Sequence, residues 1–222
     1  MLITLIIVAI IFLIFYLHRE KSYNKGATPG NLRKYEEELK RSEKTIEINP
    51  NDAKAWYAKG VKFANLGKYE EALKCYEKAI EINPNDAKAW YNKGAALANL
   101  RKYEEALKCF EEAIEINPNF AEVWYGKGAA LANLGKHKEA LKCFEKAIEI
   151  NPNDAEVWYG KGVALGKLGK YEEALKCYEK AIEINPNFAK AWYGKGAALK
   201  FSERATEAEK CFAEAKKLGF GR

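Results

Sequence analysis

Residues 53–86 read AKAWYAKGVKFANLGKYEEALKCYEKAIEINPND, and the stretch returns four more times with few changes. Tryptophan falls at 56, 90, 124, 158 and 192, and the five cysteines at 75, 109, 143, 177 and 211, each 34 residues from the last. Five such units occupy residues 53–222. A period of this length is the mark of a stacked repeat, in which each unit leaves apolar surface that only a neighbour covers. Within a unit the apolar spacing is helical twice, from Lys54 to Leu66 and from Tyr69 to Ile82 in the first. Gly67 lies between the two runs, suited to the left-handed residue that closes a helix. Asn-Pro-Asn-Asp separates units, with Pro84 stopping one helix and Asn85 or Asp86 able to cap the next.

Those residues resemble the tetratricopeptide repeat, whose pattern is met by Trp56, Gly60, Tyr69, Ala72, Tyr76, Ala79 and Pro84, with Lys59 where the family usually has Leu. The resemblance implies an all-α, right-handed α-solenoid of helix–turn–helix repeats at residues 53–86, 87–120, 121–154, 155–188 and 189–222. Gly60 and Ala72 are small enough for close helix approach, and Tyr76 is expected to fill the space beside Trp56.

The two ends depart from the repeat in opposite ways. Residues 31–51, NLRKYEEELKRSEKTIEINPN, nearly copy residues 99–119: Ala106, Cys109, Phe110 and Ala113 become Glu38, Arg41, Ser42 and Thr45, and one charged residue, Glu112, becomes Lys44. The side that, as the resemblance implies, packs on the following repeat survives in Leu32, Tyr35, Leu39 and Ile46. Residues 31–52 therefore read as an N-terminal capping half-repeat. In the last unit the inner side is kept (Ala208, Cys211, Phe212, Ala215), while the outward side carries Ser202, Ala205, Glu209 and Lys216. Polar ends disfavour end-to-end stacking.

Before the repeats, residues 1–17 read MLITLIIVAIIFLIFYL without a charged side chain. As a helix they reach about 25 Å at 1.5 Å per residue, slightly short of a hydrocarbon core of roughly 30 Å. Snorkelling Arg19 and Lys21 supply the difference. The run reads as a single-pass transmembrane anchor. No basic segment precedes it and no small-x-small site follows, which argues against a cleaved leader; a helix buried against protein is the other alternative. Positive charge on the C-terminal flank (Arg19, Lys21, Lys25) orients the repeats toward the cytoplasm. Residues 18–30, with Gly26, Pro29 and Gly30, read as a tether.

Chemistry finds little to work with. The net charge of +6 is spread through mixed Glu/Lys runs and forms no basic block, so nucleic acid is not an expected partner. The cysteines recur once per repeat on one helix face with no C-x-x-C pair, as core residues do; no metal, cofactor or disulfide is expected. Asp occurs only at 52, 86 and 154, in the inter-unit turns, and Ser only at 22, 42 and 202. His137 stands where Tyr69, Tyr103 and Tyr171 stand in other units. No catalytic triad or carboxylate pair can be assembled, and an enzyme is not expected.

What packing leaves over lies on the first helices, which in tetratricopeptide proteins line a concave groove for extended peptides or a partner helix. One helical stripe carries a ladder of Tyr57, Tyr91, Tyr125, Tyr159 and Tyr193. Asn65, Asn99 and Asn133 flank it, giving way to Lys167 and Phe201. First-turn charges are Lys54, Lys88 and Lys190 against Glu122 and Glu156, which fits a partner of mixed charge. Small neighbours leave the tyrosines room to act as a peptide platform, though tyrosine here equally suits packing between first helices. The two-carboxylate clamp of some family members is not matched: Tyr takes the usual Lys place, and Val61, Ala95 and Ala129 stand where its Asn belongs. Only Asn92 resembles a clamp amide. The expected role is a membrane-anchored scaffold docking partner proteins in the groove. The alternatives are an assembly or stability factor acting through anchor and convex face, and an exported binding protein. Restoring the apolar outward side with Glu209→Leu and Lys216→Ile should make the protein self-associate; a double variant that stays monomeric by light scattering refutes the capping of that end.

Overall fold

The computed structural model describes residues 29–221. Among them are eleven helices and no strand: α1 (Pro29–Ile48), α2 (Ala53–Asn65), α3 (Tyr69–Ile82), α4 (Ala87–Asn99), α5 (Tyr103–Ile116), α6 (Ala121–Asn133), α7 (His137–Ile150), α8 (Ala155–Lys167), α9 (Tyr171–Ile184), α10 (Ala189–Phe201) and α11 (Ala205–Lys217). The fold is thus all-α and built of repeated helix pairs. The chain falls into two compact units, one up to Leu100 and one from Arg101. Among the described residues no helix is long and apolar enough to cross a membrane. The expected anchor at 1–17 lies outside them, as does the tether except for Pro29 and Gly30. Those two form the first turn of α1, where proline's fixed φ is already helical.

Short-range chemistry sets the breaks between helices. Asp52, Asp86 and Asp154 cap α2, α4 and α8, each carboxylate accepting from the next two available backbone N–H groups, as in Lys54 at 2.9 Å and Ala55 at 3.1 Å from Asp52 Oδ1. Phe120 and Phe188 replace this aspartate before α6 and α10 and supply no side-chain cap. Every tryptophan indole donates to a proline carbonyl six residues back, at 2.8–2.9 Å, from Trp56 to Pro50 through Trp192 to Pro186. The shared 34-residue spacing of Trp and Pro thus has a direct cause: the indole locks the turn that leads into its own helix.

The core is a series of aromatic wedges. In the unit from Arg101, Tyr178 on α9 lies under both α8 and α10: a Cβ added at Gly162 or at Gly194 would sit 2.7 Å from its ring. Phe144 on α7 meets Gly128 of α6 and Gly160 of α8 in the same way. In the unit up to Leu100, Tyr76 fills the space over Gly60, its ring centroid 6.1 Å from that of Tyr57. Tyr76 was expected beside Trp56; the structure shows Gly60 and Tyr57 as its partners. Small pairs complete the contact, Ala72 with Ala96, Ala140 with Ala164 and Ala174 with Ala198 sharing core clusters. Around the core, a glutamate of each second helix meets a lysine sixteen residues on, in the following first helix. Glu77 and Lys93 lie 3.2 Å apart, Glu111 and Lys127 2.9 Å, Glu145 and Lys161 3.1 Å, and Glu179 and Lys195 2.9 Å.

The same ladder ties α1 to α2 through Glu43 and Lys59 at 3.1 Å. Arg41 and Thr45 are exposed, but Glu38, expected on the solvated side, reaches Lys62 of α2 as an ion pair. Glu38 and Lys62 stand where Ala72 and Ala96 stand one repeat on, so a charged pair replaces a small–small contact. Tyr35, Leu39 and Ile46 are half-buried, whereas Ile48 is exposed at the helix end. At the far end Ala205, Glu209 and Lys216 are exposed. There the chain turns back after α11 and stacks Phe220 on Tyr193 at 4.3 Å between ring centroids, a contact the sequence pattern does not announce.

Gly67, Gly135 and Gly169 close first helices with φ of 73°, 77° and 76°. Arg101 and Glu203 take the same place with φ of 62° and 60°. A side chain there costs about 1–2 kcal/mol, partly offset because glycine is freer in the unfolded chain. Arg101→Gly and Glu203→Gly should therefore each stabilise the protein by about 0.5–1 kcal/mol, measured as a rise in denaturation midpoint. A fall in midpoint overturns this account of the two turns.

Candidate functional site

Within the unit from Arg101, α6 touches α8 and α8 touches α10, while the intervening second helices touch only first helices. Elements in mutual contact lie on the inner side of a curved stack, so the first helices face inward. In the unit up to Leu100, α2 and α4 likewise meet directly. The inner side in each unit is the candidate site.

The tyrosines of the ladder are divided between packing and exposure. Tyr57 is half-buried, and its hydroxyl accepts from the Asn92 amide at 3.1 Å. Tyr125 leans on Phe144 at 6.0 Å and Tyr159 on Tyr178 at 6.0 Å, each ring tilted by 45°. Tyr159 also meets the edge of Phe188 at 5.3 Å, which is what this repeat has in place of an aspartate cap. Tyr193 is 45% exposed despite its contacts with Phe212 and Phe220, while Tyr91 is half-buried. Burial, reinforced by Glu156, pushes the Tyr159 hydroxyl above its ordinary pKa; burial, then Asp86, does the same for Tyr57 against the opposing hydrogen bond from Asn92. Both phenols are neutral donors at ordinary pH.

Asn92, the one clamp-like amide, also donates to the Lys88 carbonyl at 2.8 Å. Asn99 and Asn133 are exposed, and their amides donate to carbonyls four residues back, those of Ala95 and Ala129, at 2.9 and 2.8 Å. Asn65 and Lys167 are exposed at the matching places. Lys54, Lys88, Glu122, Glu156 and Lys190 all lie exposed in the first turns of their helices. Carboxylates there are favoured by the helix dipole, which accounts for Glu122 and Glu156 without a ligand; lysines there are disfavoured. Lys54, Lys88 and Lys190 gain nothing from their own helix dipoles.

One feature was not foreseen. The inner side of α8 and α10 holds a cavity of about 290 Å³, walled by Tyr159, Tyr193 and Phe201, floored by Tyr178 and rimmed by Lys167. Gly166 opens it, in the place of Ala64, Ala98 and Ala132 in the earlier repeats. That one-methyl difference was visible in the sequence, but its consequence depends on Tyr178 reaching up from α9. Phe201, 68% exposed, stacks on Tyr171 at 4.9 Å and extends the aromatic wall.

Among the described residues no group of His, Cys, Asp or Glu comes together to hold a metal ion. All five cysteines are free and buried in the repeat core. Burial pushes the Cys177 thiol up to about 11 against the opposing pull of Lys161, and Cys75, Cys143 and Cys211 are raised for the same reason.

Four segments, residues 53–86, 87–120, 121–154 and 155–188, match a tetratricopeptide repeat family model, and a second such model matches residues 177–210. The chain belongs to the tetratricopeptide repeat family, whose domains are generally non-catalytic scaffolds that bind protein or peptide partners. Among solved structures it is similar to MamA 41-end from Desulfovibrio magneticus RS-1, at 27% identity and a TM-score of 0.68 over 75% of this chain and 94% of that one. It is also similar to YrrB, described as a TPR protein with an unusual peptide-binding site, at 28% identity and a TM-score of 0.65 over 82% and 93%. A further MamA crystal structure, at 24% identity and a TM-score of 0.65 over 72% and 93%, shares the fold. No curated protein matches the chain significantly.

Thiols raised by burial carry little thiolate at pH 8, so a disulfide reagent should label the folded protein slowly and all five cysteines at once after unfolding in guanidinium. Rapid stoichiometric labelling of the folded protein contradicts their core placement.

Proposed function

We propose that this protein is a membrane-anchored scaffold that docks an extended peptide or a helix of a partner protein against the inner side of its first helices. The observation that carries the reading is the row Tyr125, Tyr159 and Tyr193: each ring has one side on the core aromatics, and the row continues into an aromatic-walled cavity. Tyrosines held in this way offer large contact area with little entropy left to lose on binding. The similarity to a structure described as having a peptide-binding site supports a peptide as the ligand class. The uninterrupted apolar run at residues 1–17 serves as the anchor, and the basic residues after it put the repeats on the cytoplasmic side. Anchoring raises the local concentration of groove and partner at the membrane surface.

The detergent-solubilised full chain should capture its partner, and Tyr125→Ala with Tyr159→Ala should abolish capture while leaving the helical circular dichroism intact. Capture unchanged by that double variant refutes groove docking and favours assembly through the anchor and the outer surface. An intact-mass measurement showing that the mature protein lacks residues 1–17 refutes the anchor.

A further inference from the structure

The cavity between α8 and α10 has a polar floor that the rest of the protein leaves unused. Tyr178 is 5% exposed, and its hydroxyl has no hydrogen-bond partner among the described residues. It lies 3.9 Å from where a Cβ on Gly166 would be, so the glycine keeps the hydroxyl open to the cavity. The contrast with the first repeat is direct. There Tyr76 takes the equivalent place, Ala64 packs against its cluster, and its hydroxyl is buried without a partner. The Tyr178 hydroxyl, by contrast, is an accessible donor inside an aromatic-walled cavity, where a ligand bearing an acceptor can take the place of water.

Size and charge narrow the ligand further. A volume of about 290 Å³ lies at the lower edge of small-molecule pockets, which suits one large side chain. The walls are tyrosine and phenylalanine rings, and the lining contains no carboxylate. Lys167 is its one charged residue, and Lys200 precedes Phe201 in the chain; neither forms an ion pair among the described residues. Lys167 replaces the asparagine of the three earlier repeats, and Lys200 replaces their alanine. The matching ligand is an aromatic ring with a hydrogen-bonding tip, on a chain with negative charge close by.

Resting on the groove-docking role above, we propose that this cavity receives a tyrosine side chain from an acidic, extended segment of the partner. The tyrosine ring stacks between Tyr159, Tyr193 and Phe201, its hydroxyl accepts from the Tyr178 hydroxyl, and a neighbouring Glu or Asp of the segment meets Lys167. Tyr178 is held as the neutral donor because burial raises its pKa.

The test uses the full chain in detergent and fluorescein-labelled peptides blocked at both ends, with one Tyr between two Glu in a Gly/Ser frame. Control peptides replace Tyr by Phe or each Glu by Gln. Tyr178→Phe should weaken the Tyr peptide about tenfold, the worth of one hydrogen bond, and leave the Phe peptide unchanged. Gly166→Ala should weaken both aromatic peptides about tenfold or more by filling the cavity with a methyl group. Lys167→Asn should weaken the Glu peptides and spare the Gln peptide. Each substituted residue is the one that other repeats of this chain carry at that place, so folding is preserved, as circular dichroism will show. No binding, affinity indifferent to Gly166→Ala, or an equal loss for Tyr and Phe peptides on Tyr178→Phe overturns the proposal. If partner capture still depends on Tyr125 and Tyr159 in that event, groove docking stands and only the cavity assignment falls; if capture is also indifferent, both fall.

Discussion

The structure depends on one steric constraint: an aromatic ring on each second helix occupies space that a side chain on a neighbouring first helix would need. Around Tyr178 the two glycines that permit this belong to successive repeats, Gly162 and Gly194, so the ring closes a hairpin and joins it to the next repeat at once. Phe144 does the same between Gly128 and Gly160. A buried aromatic of this kind is worth about 3–5 kcal/mol against alanine. Tyr178 and Phe144 each divide that between two interfaces, which is how a 34-residue unit too small to fold alone is stable in a stack.

Once the wedge sets the distance between helices, the remaining positions are free to vary, and they vary in a consistent direction. The glutamate–lysine ladder from Glu43–Lys59 to Glu179–Lys195 runs alongside every junction described within a unit and keeps polar groups paired at the rim of the core. Where α1 has no first helix of its own to cover, the wedge is replaced by Ser42 and the small pair by Glu38 and Lys62. Before α10 the aspartate cap gives way to Phe188, exchanging a hydrogen bond worth about 1 kcal/mol for an aromatic edge against Tyr159. The later repeats thus become more aromatic on their inner side.

The fold was legible because its signals are local and repeated five times. Trp, Gly, Ala, Cys and Pro at one period announce the helix pairs, and in the first repeat the helix limits follow within a residue, whereas α1 begins two residues before the expected cap. The role of each aromatic was less legible. Trp56 and Tyr76 both look like core, yet Trp56 spends its indole N–H on the Pro50 carbonyl while Tyr76, with Cys75 beside it, fills the gap over Gly60. The candidate site was legible as a stripe and not as a shape. Tyr159 and Lys167 were marked by their register, but nothing in register says that Tyr178 lines the same cavity, because it belongs to the other helix of the hairpin.

The sequence by itself determined the repeat, the helix pair within it, the changed character of the two ends and the inner stripe, since each is a matter of residue type at a fixed spacing along one chain. Only the tertiary structure decided that Glu38 pairs with Lys62, that Phe220 turns back onto Tyr193, and that Gly166 opens a cavity onto the hydroxyl of Tyr178. Those three depend on which atoms of separate helices meet, and a difference of one methyl group changes whether a phenol is buried unmatched or faces an open site.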